Sequence, residues 1–132
     1  MKAGFVPAVG TPLDKNGNLC VESYKKQIED QIENGAIAIL SMGSMGIQPY
    51  MRTSVCPDVA KAAVEAAAGR VPVYVGAMDC SIARARERMA AMEDLDLAGF
   101  VLTTPYYYAC TPQMILNYYK GACAGTKHKV LM

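Results

Sequence analysis

Short apolar runs alternate with longer amphipathic segments along the whole chain. The runs are AGFVPAVG, AIAILSM, VPVYVGA, GFVLTT and HKVLM, and glycine, proline or polar residues bound them. Each run has the length and the β-branched content of a strand. Near-continuous apolar runs are typical of parallel strands that are covered on both faces. We therefore predict five strands, spaced by about 30 residues, the size of one βαβ unit.

The segments between the runs predict helices. In VESYKKQIEDQIENG, the apolar residues Tyr24, Ile28 and Ile32 fall on one helical face, opposite charged residues. Gly35 suits the position that ends this helix. The fourth such segment begins with Thr111, which we predict to be the N-cap of a helix.

Two further helices are predicted at 54–68 and 81–95. Pro57 falls in the first turn of the earlier one, where proline is tolerated, and Gly69 ends it. In the later one we expect Ile82, Met89 and Met92 on the buried side and the arginines on the side that faces solvent.

The predicted order βαβαβαβαβ implies a parallel sheet with right-handed crossovers. Two architectures use this alternation. A doubly wound sheet of this length needs only one more helix, whereas a (β/α)8 barrel is little more than half present. Periodicity leaves both open.

Composition excludes several classes of protein. Thirteen basic and twelve acidic residues leave a net charge of +1 without a basic tract, which argues against a nucleic-acid partner. Five isolated cysteines and one histidine argue against a zinc site and a disulfide scaffold, and suit free thiols in a reducing cytosol. No apolar run approaches the roughly 20 residues of a membrane span. We predict a cytoplasmic protein with no metal and no cofactor.

Two loops at predicted strand ends are candidates for function. In GSMGIQPY, Gly43 and Gly46 allow a sharp turn that points N–H groups at an anion such as a carboxylate, and Ser44 adds a hydroxyl. A simple tight turn is the alternative. In TTPYYYACTP, Tyr106, Tyr107 and Tyr108 cannot all face one core, so at least one hydroxyl reaches a pocket, solvent or a partner subunit.

Three other polar positions are interpreted as structural. Asp79 precedes a predicted helix and is expected to assist its N-terminus, although a catalytic role is the alternative. Asp14 opens a stretch like a calcium loop, but Lys25 occupies the position of the carboxylate that calcium needs. His128 lies at the start of the fifth predicted strand, away from the expected ligand-binding end.

These segments together resemble the dihydrodipicolinate synthase / N-acetylneuraminate lyase family, which are class I aldolases on a (β/α)8 barrel. TPLDKNGN, GSMGI, GRVPVYVGA and TTPYY stand in the family's order and cover nearly the whole chain. The resemblance implies an α/β fold in which residues 1–132 form one incomplete barrel domain, truncated at strand five, with parallel strands in the order 1-2-3-4-5.

The resemblance also implies a chemistry. Family members bind pyruvate or a related 2-oxo acid as a Schiff base on a lysine and make or cleave a carbon–carbon bond, without a cofactor. Ser44 and Tyr107 match the catalytic hydroxyls of a proton relay. Gly43, Ser44, Met45 and Gly46 match the substrate-binding loop. The family's tyrosine reaches a neighbouring subunit, which implies a homo-oligomer with a tight dimer through the Tyr106–Tyr107 loop.

Departures from the family pattern limit what carries over. Met45 lacks the family's hydroxyl and Ile47 replaces its Glu, so another 2-oxo-acid aldolase or a hydratase-aldolase is favoured over dihydrodipicolinate synthesis. The Schiff-base lysine and a second relay tyrosine are expected after Met132. The fragment alone is therefore predicted to be inactive, and its unpaired sheet edges are expected to make it self-associate or to leave it marginally stable.

Two alternatives remain. In the first, the short chain is itself a gene product that acts as a pairing or decoy subunit for full barrels. Less favoured is an unrelated doubly wound domain such as a receiver or flavin module. That domain needs a paired-acid pocket or a phosphate-binding first loop, and VGTPLDKNGN offers neither.

Overall fold

A computed structural model describes residues 4–132 of the chain. In that range, helices and strands alternate as α1 (Val21–Glu33), β1 (Ile39–Ser41), α2 (Cys56–Ala67), β2 (Val73–Gly76), α3 (Ile82–Ala90), β3 (Gly99–Val101), α4 (Pro112–Cys123) and β4 (Val130–Leu131). Two single-turn 3-10 helices, Gln48–Tyr50 and Thr53–Val55, lie between β1 and α2. All four predicted helices are confirmed.

The four strands form one parallel sheet in the order β1-β2-β3-β4. Val75, for example, pairs with Phe100 of the next strand. A doubly wound sheet would place strands that are not consecutive in the chain side by side at the point where its order reverses. The consecutive order instead agrees with the predicted part of a barrel.

The first predicted strand is shorter than expected. Ala8 makes a single parallel bridge with Leu40, and Val9 N donates to Leu40 O over 3.0 Å. Pro7 accepts a bond from Leu40 N at 3.0 Å but has no N–H to return. The ladder is therefore interrupted, and residues 4–9 lie along β1 without forming a full strand. Ala3, the first residue of that prediction, lies outside the described residues.

The core joins buried residues of the strands to the apolar faces of the helices in one cluster. Tyr24 and Ile28 of α1 are fully buried, as their spacing predicted, and Phe100 of β3 and Tyr118 of α4 add two further large aromatic side chains to the core. The Tyr24 hydroxyl and the Ser41 hydroxyl share a hydrogen bond of 2.6 Å. Burial raises the pKa of Tyr24 to about 12, so this hydroxyl keeps its proton.

One face of α3 differs from the prediction. Met89 and Met92 are buried as expected, but Ile82 is 36% exposed, and the prediction that the arginines face solvent is wrong for Arg88, which is only 6% exposed. Arg88 is buried because its guanidinium donates to the main-chain oxygen of Met78 and pairs with a carboxylate at the end of β2. The helix also ends at Ala90, before the predicted residue 95.

An apolar cleft lies beside the last strand. It has a volume of about 570 Å³ and is lined by α4, including Ile115, Leu116 and Tyr119, and by Met132. Within the described part of the chain, β4 has a hydrogen-bonded neighbour on one side only. This edge of the sheet therefore leaves apolar surface uncovered. None of the helices in residues 4–132 is both long enough and apolar enough to cross a bilayer.

Candidate active site

The loops at the carboxyl ends of the parallel strands meet at one edge of the sheet. They comprise residues 10–12, 42–48, 77–81 and 102–108. In parallel sheets of both barrel and open type, this edge is where ligands bind. It carries every site residue that the sequence predicted.

The loop after β1 folds back tightly on itself. Ile47 N donates to Ser44 O over 3.1 Å, and Met42 and Ile47 adopt left-handed backbone angles, with φ of 53° and 49°. A Cβ at Gly46 would lie 2.8 Å from the Cα of Met42, so only glycine fits this return. The predicted sharp turn is confirmed.

Thr11 fastens this loop to the loop before it. Its Oγ1 donates to the main-chain oxygen of Gly46 over 2.7 Å, and Thr11 is buried. No role for Thr11 was predicted from the sequence. The only indication of one was its place as a polar residue directly after the first apolar run. The bond joins residues that are 35 positions apart in the chain and holds the loop after β1 at the carboxyl edge of the sheet.

The tip of the same loop has main-chain N–H groups that make no hydrogen bond within residues 4–132. Ser44 and Met45 are exposed, Met45 to 68%, whereas Gly43 and Gly46 are buried. In the described residues, no hydrogen bond uses the N–H groups of Ser44 and Met45. Adjacent free N–H groups with a neighbouring hydroxyl suit a carboxylate.

The tyrosines after β3 are all exposed. Tyr107 is 87% exposed, and Tyr106 and Tyr108 are 55% and 50% exposed. Tyr106 N donates to the sulfur of Cys80 over 3.4 Å, which holds the start of the loop on the end of β2. Ser44 and Tyr107 lie on loops separated by β2, and no hydrogen bond joins them in residues 4–132.

Asp79 holds the end of β2 to α3. Its Oδ1 accepts from Ser81 N over 2.8 Å, so the predicted support of the helix N-terminus is confirmed. The carboxylate also pairs with Arg84 at 2.8 Å and with Arg88 at 3.4 Å. The hydroxyl of Tyr118 in α4 donates to Asp79 O over 2.6 Å. These partners were not predicted from the sequence, in which the spacing of the two arginines from Asp79 was the only signal for the ion pairs.

These contacts make a pH dependence expected. Burial alone would raise the pKa of Asp79, but the Ser81 N–H and the guanidiniums of Arg84 and Arg88 outweigh it and hold the pKa below its usual value of 3.8. The stability that a depressed pKa contributes is complete above about pH 4 and is lost as the pH falls through the folded-state value. Asp79→Asn should therefore lower the free energy of unfolding by about 2 kcal/mol at pH 6 and by much less at pH 2.

Urea unfolding followed by circular dichroism at the two pH values measures this difference. Asp94→Asn is the matched control, because its side chain is fully exposed and lies 3.7 Å from Lys127. An equal loss for Asp79→Asn at both pH values would contradict the expected dependence.

The remaining polar candidates have structural roles. The Nε2 of His128 bonds to Glu93 O at 2.9 Å, and its ring packs edge-on against Phe100. Asp14 accepts from the N–H groups of Asn16 and Asn18, so its carboxylate closes its own turn. No group of three His, Cys, Asp or Glu side chains within residues 4–132 has an arrangement that could hold a metal ion.

The consecutive parallel strands, with the candidate site loops at their carboxyl edge, define the N-terminal part of a (β/α)8 barrel. Comparison with known proteins agrees over the whole chain. Residues 1–132 match the Dihydrodipicolinate synthetase family. The chain belongs to this family.

The curated relatives are longer than this chain. The 4-hydroxy-tetrahydrodipicolinate synthases of Escherichia coli O139:H28 and Shigella boydii serotype 18 are each 30% identical over 126 residues. The match covers 96% of this chain and 43% of each relative. The chain therefore spans less than half the length of these relatives.

Solved structures give the same result. The chloride-inhibited dihydrodipicolinate synthase of Acinetobacter baumannii, complexed with pyruvate, is 28% identical with a TM-score of 0.89, over 96% of this chain and 44% of that one. The Aquifex aeolicus dihydrodipicolinate synthase is 26% identical with a TM-score of 0.88, over 96% and 43%. Both support the assignment of the fold as part of a barrel.

Proposed function

We propose that this chain supplies the amino-terminal part of the active site of a lyase that acts on pyruvate or a related 2-oxo acid through a lysine Schiff base. The observation that carries the proposal is the loop after β1, whose N–H groups at Ser44 and Met45 are free to receive a carboxylate. A relative with the same fold at this edge is complexed with pyruvate. The lysine is proposed to lie outside these 132 residues.

In this proposal, the loop after β1 binds the substrate carboxylate and takes part in proton transfer, and the loop after β3 takes part in proton transfer only. The loop with Gly43 and Gly46 holds the carboxylate of the 2-oxo acid and fixes its carbonyl carbon toward the lysine. The protonated imine then withdraws electrons from the adjacent carbon, which loses a proton or an aldehyde. The hydroxyls of Ser44 and Tyr107 pass the proton. The exposure of Ser44 and Tyr107 leaves both hydroxyls accessible for this role.

Four of the seven lysines in residues 4–132 do not suit the nucleophile's role. A Schiff-base amine is activated by a lowered pKa, but the bond from Lys25 to Glu65 at 2.7 Å raises the pKa of Lys25. Lys61 and Lys120 lie on helices rather than on strands. Lys129 precedes β4, at the end of the sheet opposite the loops. These positions support a lysine elsewhere in the protein.

Two side chains at the loop indicate which substrate fits. Met45 and Ile47, exposed to 68% and 38%, place apolar groups where the resemblance expects a hydroxyl and a carboxylate. They line a cleft of about 450 Å³ with Thr11 and Gln27. We therefore favour a 2-oxo-acid aldolase or hydratase-aldolase over dihydrodipicolinate synthesis.

The assembly and compartment are also proposed. The rings of Tyr106 and Tyr107 are large apolar surfaces with polar tips and lie mostly in solvent, which suits a tight dimer between copies of the intact protein. All five cysteines are free thiols, which suits a reducing cytoplasm.

Borohydride reduction tests the Schiff base. We expect this chain, incubated with pyruvate and reduced, to show no mass increase, because it lacks the required amine. A version extended through the remaining strands should gain one reduced pyruvate, and a Ser44→Ala form of that version should react more slowly by about tenfold or more.

Intact mass spectrometry followed by peptide mapping gives the outcome. Tyr108→Phe in the extended version is the matched control for the neighbouring Tyr107→Phe, and only the latter should slow the reaction. Labelling of a lysine within residues 1–132, or no labelling of the extended version, would refute the proposal.

A second candidate is a pairing subunit for complete barrels, without catalysis. The apolar cleft beside β4 favours it, because the cleft exposes Leu116, Tyr119 and Met132 to a partner. This candidate predicts that the short chain co-purifies with a full-length family enzyme, and that Leu116→Glu abolishes the association.

A further inference from the structure

A cleft between α3 and α4 contains chemistry that the proposed reaction does not use. Its volume is about 380 Å³, and both Cys80 and Cys110 line it, together with Pro105, Tyr108 and Tyr118. The two thiols are free and half-buried, so each is open to a small reagent. Two thiols that line the same cleft are candidates for a disulfide, whereas a single thiol there would not indicate a function.

The two cysteines come from different parts of the chain. Cys80 precedes Ser81, the N-cap of α3, and Cys110 precedes Thr111, the N-cap of α4. Each helix therefore fixes one thiol at its own start. The cleft is the space between these two helix ends.

The tyrosine loop connects the two sulfurs. Cys80 Sγ accepts from Tyr106 N over 3.4 Å, and Cys110 Sγ donates to Tyr108 O over 3.7 Å. Only residues 107–109 lie between Tyr106, whose nitrogen is anchored, and Cys110. A thiol on such a short tether has a high effective concentration at its target. Tyr106, Tyr107 and Tyr108 are half-exposed or more, so little packing opposes movement of this segment.

Charge beside the cleft favours an acidic reagent. Arg84 of α3 has a side chain that is 65% exposed, and together with Arg88 it gives two guanidiniums against the one carboxylate of Asp79, the residue before Cys80. Its guanidinium would attract the carboxylates of a small acidic disulfide such as glutathione disulfide. Glutathione is the thiol that holds the cytosol reduced.

We propose that Cys80 and Cys110 are a redox-responsive pair that a low-molecular-weight disulfide converts into an intramolecular disulfide. One protein thiolate attacks the reagent, which forms a mixed disulfide and releases one small thiol. The second protein thiolate then attacks the mixed disulfide, which forms the Cys80–Cys110 bond and releases the second small thiol. The protein loses two electrons and two protons, and the reagent gains them.

The bond would fix the tyrosine loop. A disulfide needs Cα atoms within about 4.4–6.8 Å, so the bond would hold Cys110, and with it segment 106–110, beside Cys80. If Tyr107 has the proposed relay role, oxidation would withdraw its hydroxyl from the site. That consequence rests on the proposed function, but formation of the bond does not.

The 132-residue chain treated with glutathione disulfide tests the pair. The five cysteines fall on five different tryptic peptides, and the expected cross-link joins peptide 71–84 to peptide 89–120. We expect loss of two hydrogen atoms from the intact mass, reversal by dithiothreitol, and chymotryptic cleavage after Tyr107 slowed by about tenfold or more in the oxidised form.

Two variants separate the pair from general thiol reactivity. Cys110→Ser should lose the cross-link and instead accumulate glutathione on Cys80, whereas Cys123→Ser, with a half-buried thiol on α4, should still form it. Failure to form the cross-link in the folded wild-type chain, or a cross-link that maps to other peptides, would overturn the proposal. Either result leaves the borohydride test of the Schiff base unaffected.

Discussion

Gly76→Ala is expected to destabilise the chain severely. Gly76 ends β2, and a Cβ there would lie 2.7 Å from the carbonyl carbon of Met42 and closer still to its oxygen. Both neighbours are backbone atoms of a buried residue, so no side chain can move aside. Because overpacking against mobile side chains already costs about 1–3 kcal/mol, we expect a loss above about 3 kcal/mol here. The whole free energy of unfolding of a domain is only about 5–15 kcal/mol.

Far-UV circular dichroism and the soluble fraction after expression measure this effect. Gly10→Ala is the matched control, since its Cβ would meet nothing nearer than 3.7 Å. The control should stay within about 0.5 kcal/mol of the parent chain. A cooperative unfolding transition for Gly76→Ala near that of Gly10→Ala would show that the β1–β2 contact is looser than described.

Arg88→Met is the second substitution with a large expected effect. Methionine keeps much of the volume but removes the guanidinium from Asp79, from the main-chain oxygen of Met78 and from the hydroxyl of Thr53. Removing one member of a buried ion pair leaves the other charge without compensation and costs about 3–5 kcal/mol. Arg84 remains beside Asp79, so we expect the lower part of this range.

The matched control on the same helix is Arg86→Met. Arg86 is exposed and donates one hydrogen bond, to Gly121 O, so its loss should cost about 1 kcal/mol or less. The double variant Asp79→Asn/Arg88→Met should lose less than the sum of the two single variants, because both buried charges are gone and only the exposed Arg84 loses a partner. Urea midpoints give all four values, and equal losses for the two arginine variants would refute the buried pair.

Local rules predicted the helices well. Tyr24 and Ile28 are buried at the spacing that the pattern indicated, and Gly35 takes a left-handed φ of 90° just after α1. Thr111 caps α4 by accepting from Met114 N over 3.3 Å, and Pro112 is the first helical residue. These features depend on residues within one or two turns, which the sequence contains directly.

Contacts between distant segments were not predictable in the same way. Periodicity assigned Arg88 to solvent, because a charged residue is buried only when a partner from another element meets it. The bond from Thr11 to Gly46 joins loops 35 residues apart, and it follows from the register of the sheet rather than from either loop. The strand positions were predicted, but their lengths were overestimated, since Pro7 and the helix ends limit how many residues pair.

In the candidate site, too, local features could be predicted from the sequence and relations between distant segments could not. The turn at Gly43 and Gly46 could be predicted, because glycine there has a backbone reason. The relation between Ser44 and Tyr107 could not be predicted from residue patterns, since it depends on where neighbouring strands and other subunits place the two loops. The resemblance to a family provided that relation, and it remains a proposal for this chain.

The neighbour-to-neighbour order of the sheet has a consequence for biosynthesis. Each strand hydrogen-bonds only with the strand before or after it in the chain, so no pairing waits for a distant segment. At about 5–20 residues per second, a ribosome releases one βα unit every few seconds, far longer than a helix or a hairpin needs to form. Each unit can therefore dock on the previous one during translation, and this sheet can be assembled while its growing end is still being made.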